Sequence, residues 1–416
     1  MKRIFRLCSA FFLLFALLAP AGTRAAEDET LRFRPDGSFT ILLLADTQDT
    51  QFPPAYLLRS IEAVLNNYEI DLVVLLGDQL EGGSPVLRFG SGERNVRRAL
   101  SYILDPLARA GLPFAAVLGN HDYEAPLSPE AQLAYYRSYE NCVMPAADES
   151  GAYRLPVLGS EHDGTVLNLY FFESGPDIAR GEYGAVSEAQ VAWYRETAAA
   201  LHAGNSSQTT PAVAFQHVIV PEVYELFQEV PADTPGALQR GGRSYLADVS
   251  KLLIGEAGEA PCPSGENYGL FDAFVEQGDV FLSMAGHDHV NSFIGSVRGV
   301  DIGAAPGSSY TSYGSADMRG VRLLRFYEDD VKSYNTIHVR YADFIETGGL
   351  ASVRYYLSTT TAVPNAVKTL LLFALVITLI VLVSLYIARA AKRPRPPAPD
   401  GGEPEFDDDP GDISAG

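Results

Sequence analysis

A chain of 416 residues has room for one large domain or two to three average ones. With hydrophobic residues at 47% and charged residues at 20%, it is not a wholly disordered chain. Asp and Glu number 52 against 31 Lys and Arg, a net charge of −21, which argues against a general nucleic-acid binder.

In chain order, the first element is an apolar run from Ile4 to Ala21 behind Lys2, Arg3 and Arg6, with small residues Ala19, Ala21 and Ala25 at its end. That pattern predicts a secretory signal peptide over residues 1–25. A lead-in segment, 26–38, comes next. Short apolar runs follow at Phe39–Ala45, Leu72–Leu76, Phe114–Leu118, Val166–Phe172, Ala212–Phe215 and Val280–Met284. Their length and composition predict strands buried on both faces. The intervening segments Ala55–Asn67, Asn95–Ala110, Ser128–Tyr139, Ser187–Leu201 and Gly269–Glu276 read as helices, and Ser187 with Gln190 matches a capping box. Strand and helix in alternation predict an α/β sandwich. Runs near Val297–Ile302, Val321–Tyr327 and Ser333–Val339 lack long helices between them and are expected to be antiparallel strands completing a second sheet.

Residues 347–368 read as a stalk. Thr369–Ala388 contains no charge, and twenty residues at about 1.5 Å each span roughly 30 Å, the thickness of a bilayer core. Lys368 precedes this run, and Arg389, Lys392, Arg393 and Arg395 follow it. The basic flank predicts a single-pass anchor in the cell membrane, with the folded domain outside and the tail, 389–416, cytoplasmic and disordered. Cys8 falls in the signal peptide. In an oxidising compartment Cys142 and Cys262 are either one disulfide or two free thiols.

The residues that carry chemistry follow the buried runs. They are Ala45-Asp46-Thr47-Gln48, Gly77-Asp78, Gly119-Asn120-His121-Asp122, Gln216-His217 and Gly286-His287-Asp288-His289. Ligands collect at the carboxyl ends of strands in open α/β sheets. Oxygen and imidazole donors at five such ends suit two divalent cations. Paired ions lower the pKa of a shared water and neutralise charge on a phosphoryl group, so an acidic domain poses no obstacle.

On these motifs the chain resembles the calcineurin-like metallophosphoesterases, over about residues 31–340. The opening Leu31-Arg32-Phe33 with Asp36-Gly37, the run Gln216-His217-Val218-Ile219-Val220-Pro221-Glu222, Gly269-Leu270-Phe271-Asp272 and Gly286-His287-Asp288-His289-Val290-Asn291 are similar to the purple-acid-phosphatase-like branch. The resemblance implies a four-layer β-sandwich flanked by helices over residues 31–346 and a dinuclear site of Mn, Fe, Zn or Mg. One metal would take Asp46, Asp78 and His289; the second would take Asp78, Asn120, His217 and His287. His121 would stabilise the phosphoryl oxygen or protonate the leaving group, and Asp122 would orient its ring.

Gln48 stands where the family has His. As a ligand, its amide oxygen would weaken the first site or favour harder ions. Asp49 stands where the purple enzymes have Tyr, so no tyrosinate–iron colour is expected, and Asp49 reads as an N-cap. Arg240 and Gly241-Gly242-Arg243 lie in a polar loop, read as a solvated turn with a phosphate contact as the alternative. Tyr310 and Tyr313 either shape the pocket or pack. Trp193 reads as core, and His162, His202 and His338 as surface or packing residues. The expected function is membrane-anchored, extracytoplasmic hydrolysis of phosphate monoesters, with water activated at the metal pair. The alternatives are a phosphodiesterase acting on lipid headgroups or nucleotides, and a degenerate binding module.

Overall fold

In a computed structural model of the chain, the described residues are 30–145, 150–179, 181–344 and 365–391. The signal peptide, residues 347–364 of the stalk and the tail beyond 391 lie outside them. The chain divides into two units, Met1–Thr361 and Ala362–Gly416.

In the first unit the elements run β1 (Ser38–Leu44), α1 (Ala55–Asn67), β2 (Leu72–Leu76), α2 (Pro85–Arg88), α3 (Gly92–Ala110), β3 (Phe114–Val117), α4 (Asn120–Tyr123) and α5 (Pro129–Tyr136). There follow β4 (Tyr153–Leu158), β5 (Thr165–Phe172), α6 (Glu188–Gly204), β6 (Ala212–Gln216), β7 (Phe227–Val230), β8 (Leu238–Arg240), β9 (Arg243–Ala247) and β10 (Leu252–Ala257). The last are α7 (Leu270–Gln277), β11 (Val280–Ala285), β12 (Asn291–Val297), β13 (Val300–Ala304), β14 (Gly320–Tyr327) and β15 (Asn335–Arg340).

Two mixed sheets form the centre, ordered β15-β14-β1-β2-β3 and β10-β12-β13-β11-β6-β5-β4. Side-chain alternation sets the layers. Leu167, Leu169 and Phe171 of β5 join Leu43, Val74 and Leu324 of the first sheet in one core, while Tyr170 and Phe172 pack outward on Tyr194 of α6 and Phe274 of α7. Helices α1 and α3 bury Leu57, Ile61, Val96 and Leu100 in the first core. The result is the expected four-layer α/β/β/α sandwich. Its parallel strands β1, β2, β3, β6 and β11 are buried throughout, as strands covered on both faces must be.

Two expectations about the strands need correction. The runs at Val321–Tyr327 and Ser333–Val339 do not complete the second sheet. They are β14 and β15 of the first sheet, with β14 antiparallel to β1 from Ser38↔Tyr327 onward. Val297–Ile302 is not one strand but the end of β12, a turn and the start of β13, and the turn residues Arg298 and Gly299 both take positive φ (49° and 85°). Two successive left-handed residues are what a tight hairpin of this twist requires. Gly241-Gly242 is the solvated turn expected of the polar stretch around Arg240, and it closes a hairpin of a small third sheet, β7-β9-β8. Of the capping box at α6, half forms. Ser187 Oγ accepts from Gln190 N at 3.4 Å, but the Gln190 amide instead bonds both backbone groups of Glu173. Cys142 and Cys262 are both free thiols.

The second unit contains α8 (Asn365–Ala391). Its described side chains, 373–389, are exposed, Phe373, Ile377, Ile380 and Leu385 among them. Among the described residues, no helix is long and apolar enough to cross a membrane.

Candidate metal centre

The five parallel strands that carry the motifs end at one rim, and their following loops converge. Asp46 N donates to Gly77 O (3.1 Å) and Gln48 N to Asp78 O (2.9 Å), which zips the loops after β1 and β2 together. Gly286 N donates to His217 O (3.0 Å), joining the loops after β6 and β11. The backbone turns sharply to achieve this. Asp46, Gln48, Asp78 and His287 have φ of 52°, 37°, 50° and 71°, a region that L-residues rarely occupy. Left-handed non-glycine residues cost free energy and persist where surrounding structure over-determines them, commonly at functional sites. The glycines of the motifs make room. A Cβ on Gly119 would lie 2.2 Å from Asp78 Oδ1, and one on Gly77 would lie 2.6 Å from His217 Nδ1.

Asp46, Gln48, Asp78, Asn120, His217, His287 and His289 are all buried. Ligand atoms of Asp78, His217 and His287 lie within 4.8 Å of one another. His217 Nε2 is 3.3 Å from Asp78 Oδ2 and 3.2 Å from Asn120 Oδ1. His289 Nε2 is 3.5 Å from Asp46 Oδ1, and the Asp46 carboxylate also accepts from His287 N at 3.0 Å. The structure therefore brings together six of the seven expected ligands by direct contact or mutual proximity. Gln48 joins through its amide, with Nε2 donating to Asp78 Oδ2 at 3.2 Å.

The donor set fits divalent cations. His217 Nδ1 donates to Leu76 O (2.7 Å) and His289 Nδ1 to Tyr313 O (2.8 Å). Each bond fixes the ring and turns Nε2 toward the carboxylates, the arrangement that metal-ligating histidines need. Burial disfavours charge on His217, but the adjacent Asp78 carboxylate reverses that and raises its pKa. Burial likewise opposes ionisation of Asp78, and His217 outweighs it and holds the carboxyl below its ordinary range. A proton held between buried donors in this way is what a divalent ion replaces. His287, by burial and by repulsion from His217, is pushed well below 6.5 and stays a neutral ligand. Gln48 Oε1 is buried with no hydrogen-bond partner among the described residues, a spare oxygen donor beside the cluster. We expect Gln48→His to raise Zn²⁺ affinity at least several-fold in a competitive metal titration, since imidazole suits Zn²⁺ better than an amide. Unchanged affinity would remove Gln48 from the ligand set.

His121 sits beside the cluster with its side chain 33% exposed, and its backbone N donates to Asp78 Oδ1 (2.8 Å). Burial lowers its pKa, but Asp78 and Glu124 more than compensate, and it is pushed up to about 8. The expected partner of this ring was Asp122, and the structure corrects that. Asp122 accepts from Gly119 N (2.9 Å) and Leu80 N (3.0 Å), tying the loop after β3 to the loop after β2. The ring partner is Glu124, whose Oε2 lies 2.8 Å from His121 Nδ1. The i,i+3 spacing on a helical turn is the sequence signal that would have found it. Tyr313 was one of two open readings. It stacks on His289 at 4.1 Å and supplies the carbonyl that fixes its ring, whereas Tyr310 is buried against Ser60 and packs. Tyr183, unremarked in the sequence, lies edge-on to His287 at 4.1 Å, and Arg240 lies over Tyr183 at 5.6 Å. Asp49 is not in the cluster. Its Oδ1 accepts from Thr50 N.

The family profile described as calcineurin-like phosphoesterase matches residues 39–291. Among curated proteins, the chain is 29% identical over 322 residues to "Probable inactive purple acid phosphatase 28" of Arabidopsis thaliana, covering 68% of this chain and 74% of that protein. It is 26% identical to "Probable inactive purple acid phosphatase 14" of the same plant, covering 71% and 76%. Among solved structures it is similar to a dimetal phosphatase from Danio rerio, at 15% identity and a TM-score of 0.43 over 72% of this chain and 98% of that one.

Proposed function

We propose a function from the premise that this chain belongs to the calcineurin-like phosphoesterase family, whose profile spans more than half of it. It is a metal-dependent hydrolase of phosphate monoesters, anchored to a membrane with its folded domain on the extracytoplasmic side. The observation that carries the activity is the buried convergence of Asp46, Asp78, Asn120, His217, His287 and His289 beside a partly exposed His121. These ligands and Gln48 would hold two divalent ions, which when bound supply a water of lowered pKa and positive charge opposite the phosphoryl oxygens.

The chain's own residues do the rest. Tyr313 and Leu76 fix the His289 and His217 rings through their carbonyls. Glu124 holds His121 Nδ1, Asp78 and then Glu124 keep the imidazole protonated toward higher pH, and Nε2 is left as the atom that donates to a leaving alkoxide. Arg240 supplies a cation near the site, positioned over Tyr183, for further negative charge on the substrate. Support for the anchor comes from the sequence alone, the uncharged run Thr369–Ala388 with Arg389, Lys392 and Arg393 after it.

A second reading has two observations in its favour: relatives named as probably inactive phosphatases, and Gln48 in place of an imidazole. It is a binding module that retains the metals without turnover. One experiment separates the two. The full chain, stripped of metal, is assayed on p-nitrophenyl phosphate and on bis-p-nitrophenyl phosphate as Mn²⁺ is added. Monoester hydrolysis that rises with Mn²⁺ is the expected result. Hydrolysis of the diester alone would make it a diesterase, and no turnover of either by a folded, Mn²⁺-loaded protein would establish the module.

A further inference from the structure

Away from the metal centre, the edge strands of the two sheets, β10 and β15, flank a cavity of about 280 Å³ lined by Glu256, Ser292, Arg322, His338 and Arg340. At its floor is Arg322 of β14, only 1% exposed. Burying a guanidinium is costly unless a carboxylate compensates it. Arg322 has no such partner among the described residues. Its Nη1 donates to Thr336 Oγ1 (2.9 Å), its Nη2 to Ser292 Oγ (2.6 Å), and its Nε has no acceptor. Burial lowers its pKa only to about 10, so the charge persists at neutral pH.

The surroundings add positive charge rather than cancel it. Arg340 reaches the same cavity, with Nη2 3.4 Å from Glu256 Oε1 in a pair that is about half exposed and therefore weak. Two guanidinium groups thus face one carboxylate. His338, the cross-strand neighbour of Arg322, donates from Nε2 to Met318 O and contributes no charge, because burial and then Arg322 push its pKa down to about 4. Ser292 Oγ accepts from Arg322, so its own hydrogen remains available to donate into the cavity.

We propose that this cavity is a binding site for a small oxyanion of the phosphate or sulfate class, held by Arg322, Arg340 and the Ser292 hydroxyl. Guanidinium forks match tetrahedral oxyanions bidentately, which a point charge does not. The bound anion neutralises Arg322 and competes with Glu256 for Arg340. Ser292 lies three residues beyond His289, so occupancy stiffens the segment that carries a metal ligand.

The test uses the full chain stripped of metal, with inorganic phosphate and sulfate titrated separately while the thermal unfolding midpoint is followed. Both anions should raise the midpoint saturably. Arg340→Gln, a change at a half-exposed position, should weaken the apparent affinity about tenfold. Arg322→Met should be at least as stable as the parent in anion-free buffer and should lose the response. Asp78→Asn, which alters the metal centre alone, should keep it. A rise that is linear and equal in all variants is a general salt effect and overturns the proposal, as does equal affinity in the parent and Arg340→Gln. Loss of the response in Asp78→Asn would move the anion to the metal centre and overturn it too. If Arg322→Met does not fold, Arg340→Gln decides.

Discussion

Asp78→Asn should cut metal-dependent phosphoester hydrolysis by at least roughly 10²–10³-fold, the scale of losing one preorganised electrostatic stabiliser. The substitution is nearly isosteric, and the effect comes from charge. Asp78 is the carboxylate on which the cluster centres: Oδ1 accepts from His121 N, and Oδ2 faces Gln48 Nε2 and His217 Nε2. An amide in its place removes the negative charge that would bridge two cations and leaves the imidazoles of His217, His287 and His289 facing one another with less to offset a bound ion. Metal content measured by atomic absorption should fall with the rate, while the far-ultraviolet circular dichroism stays that of the parent. A folded variant with full Mn²⁺-dependent activity would show that the cluster is not the catalytic centre.

The second large effect is on stability. Gly77→Ala should cost about 2–5 kcal/mol, combining about 1–2 for a left-handed L-residue with about 1–3 for forcing atoms into a filled space. Gly77 has φ of 84°, and a Cβ there would lie 2.6 Å from His217 Nδ1 and 2.7 Å from Gly119 N. Gly90 is the control. It also has positive φ (77°), but a Cβ there meets nothing within 4 Å. Gly90→Ala should therefore cost only the conformational part, about 1–2 kcal/mol. Urea unfolding of the two variants measures the difference. Equal losses would mean that the space around Gly77 yields and that the crowding of the motif backbone is not a constraint.

Much of the site was legible because its chemistry is written in contiguous runs. Gly-Asp, Gly-Asn-His-Asp and Gly-His-Asp-His each follow an apolar strand, and the strand ends place them on one rim. The glycines are readable in retrospect as space for Asp78 and His217. What stayed hidden depends on three-dimensional partners. The run Val321–Tyr327 has a strand's composition, but nothing local says that it pairs with β1 rather than with β13. Asp122 and Glu124 both lie within a helical turn of His121, and only the phase of α4 decides that Glu124 reaches the ring while Asp122 faces the backbone of Gly119 and Leu80. Strand β14 carries two arginines, Arg322 and Arg325, and nothing local says that Arg322 is the buried one. The second sheet closes over it. Tyr183 lies about a hundred residues from His287, and Tyr313 lies 24 residues from His289 across β12 and β13, with no spacing that marks either.

The pairing of β1 with β14 also dictates an order of assembly. Strand β1, which leads directly into Asp46, finds one of its two neighbours only when the chain has reached Tyr327. A contact so distant along the chain is slow to close, and until it closes an apolar edge is exposed. Every product that stops just short of β14, whether a stalled nascent chain or a proteolytic fragment, has a first strand that is half paired even though every candidate ligand precedes that point. Length thus acts as a checkpoint: the first strand is paired on both sides only in the nearly finished domain.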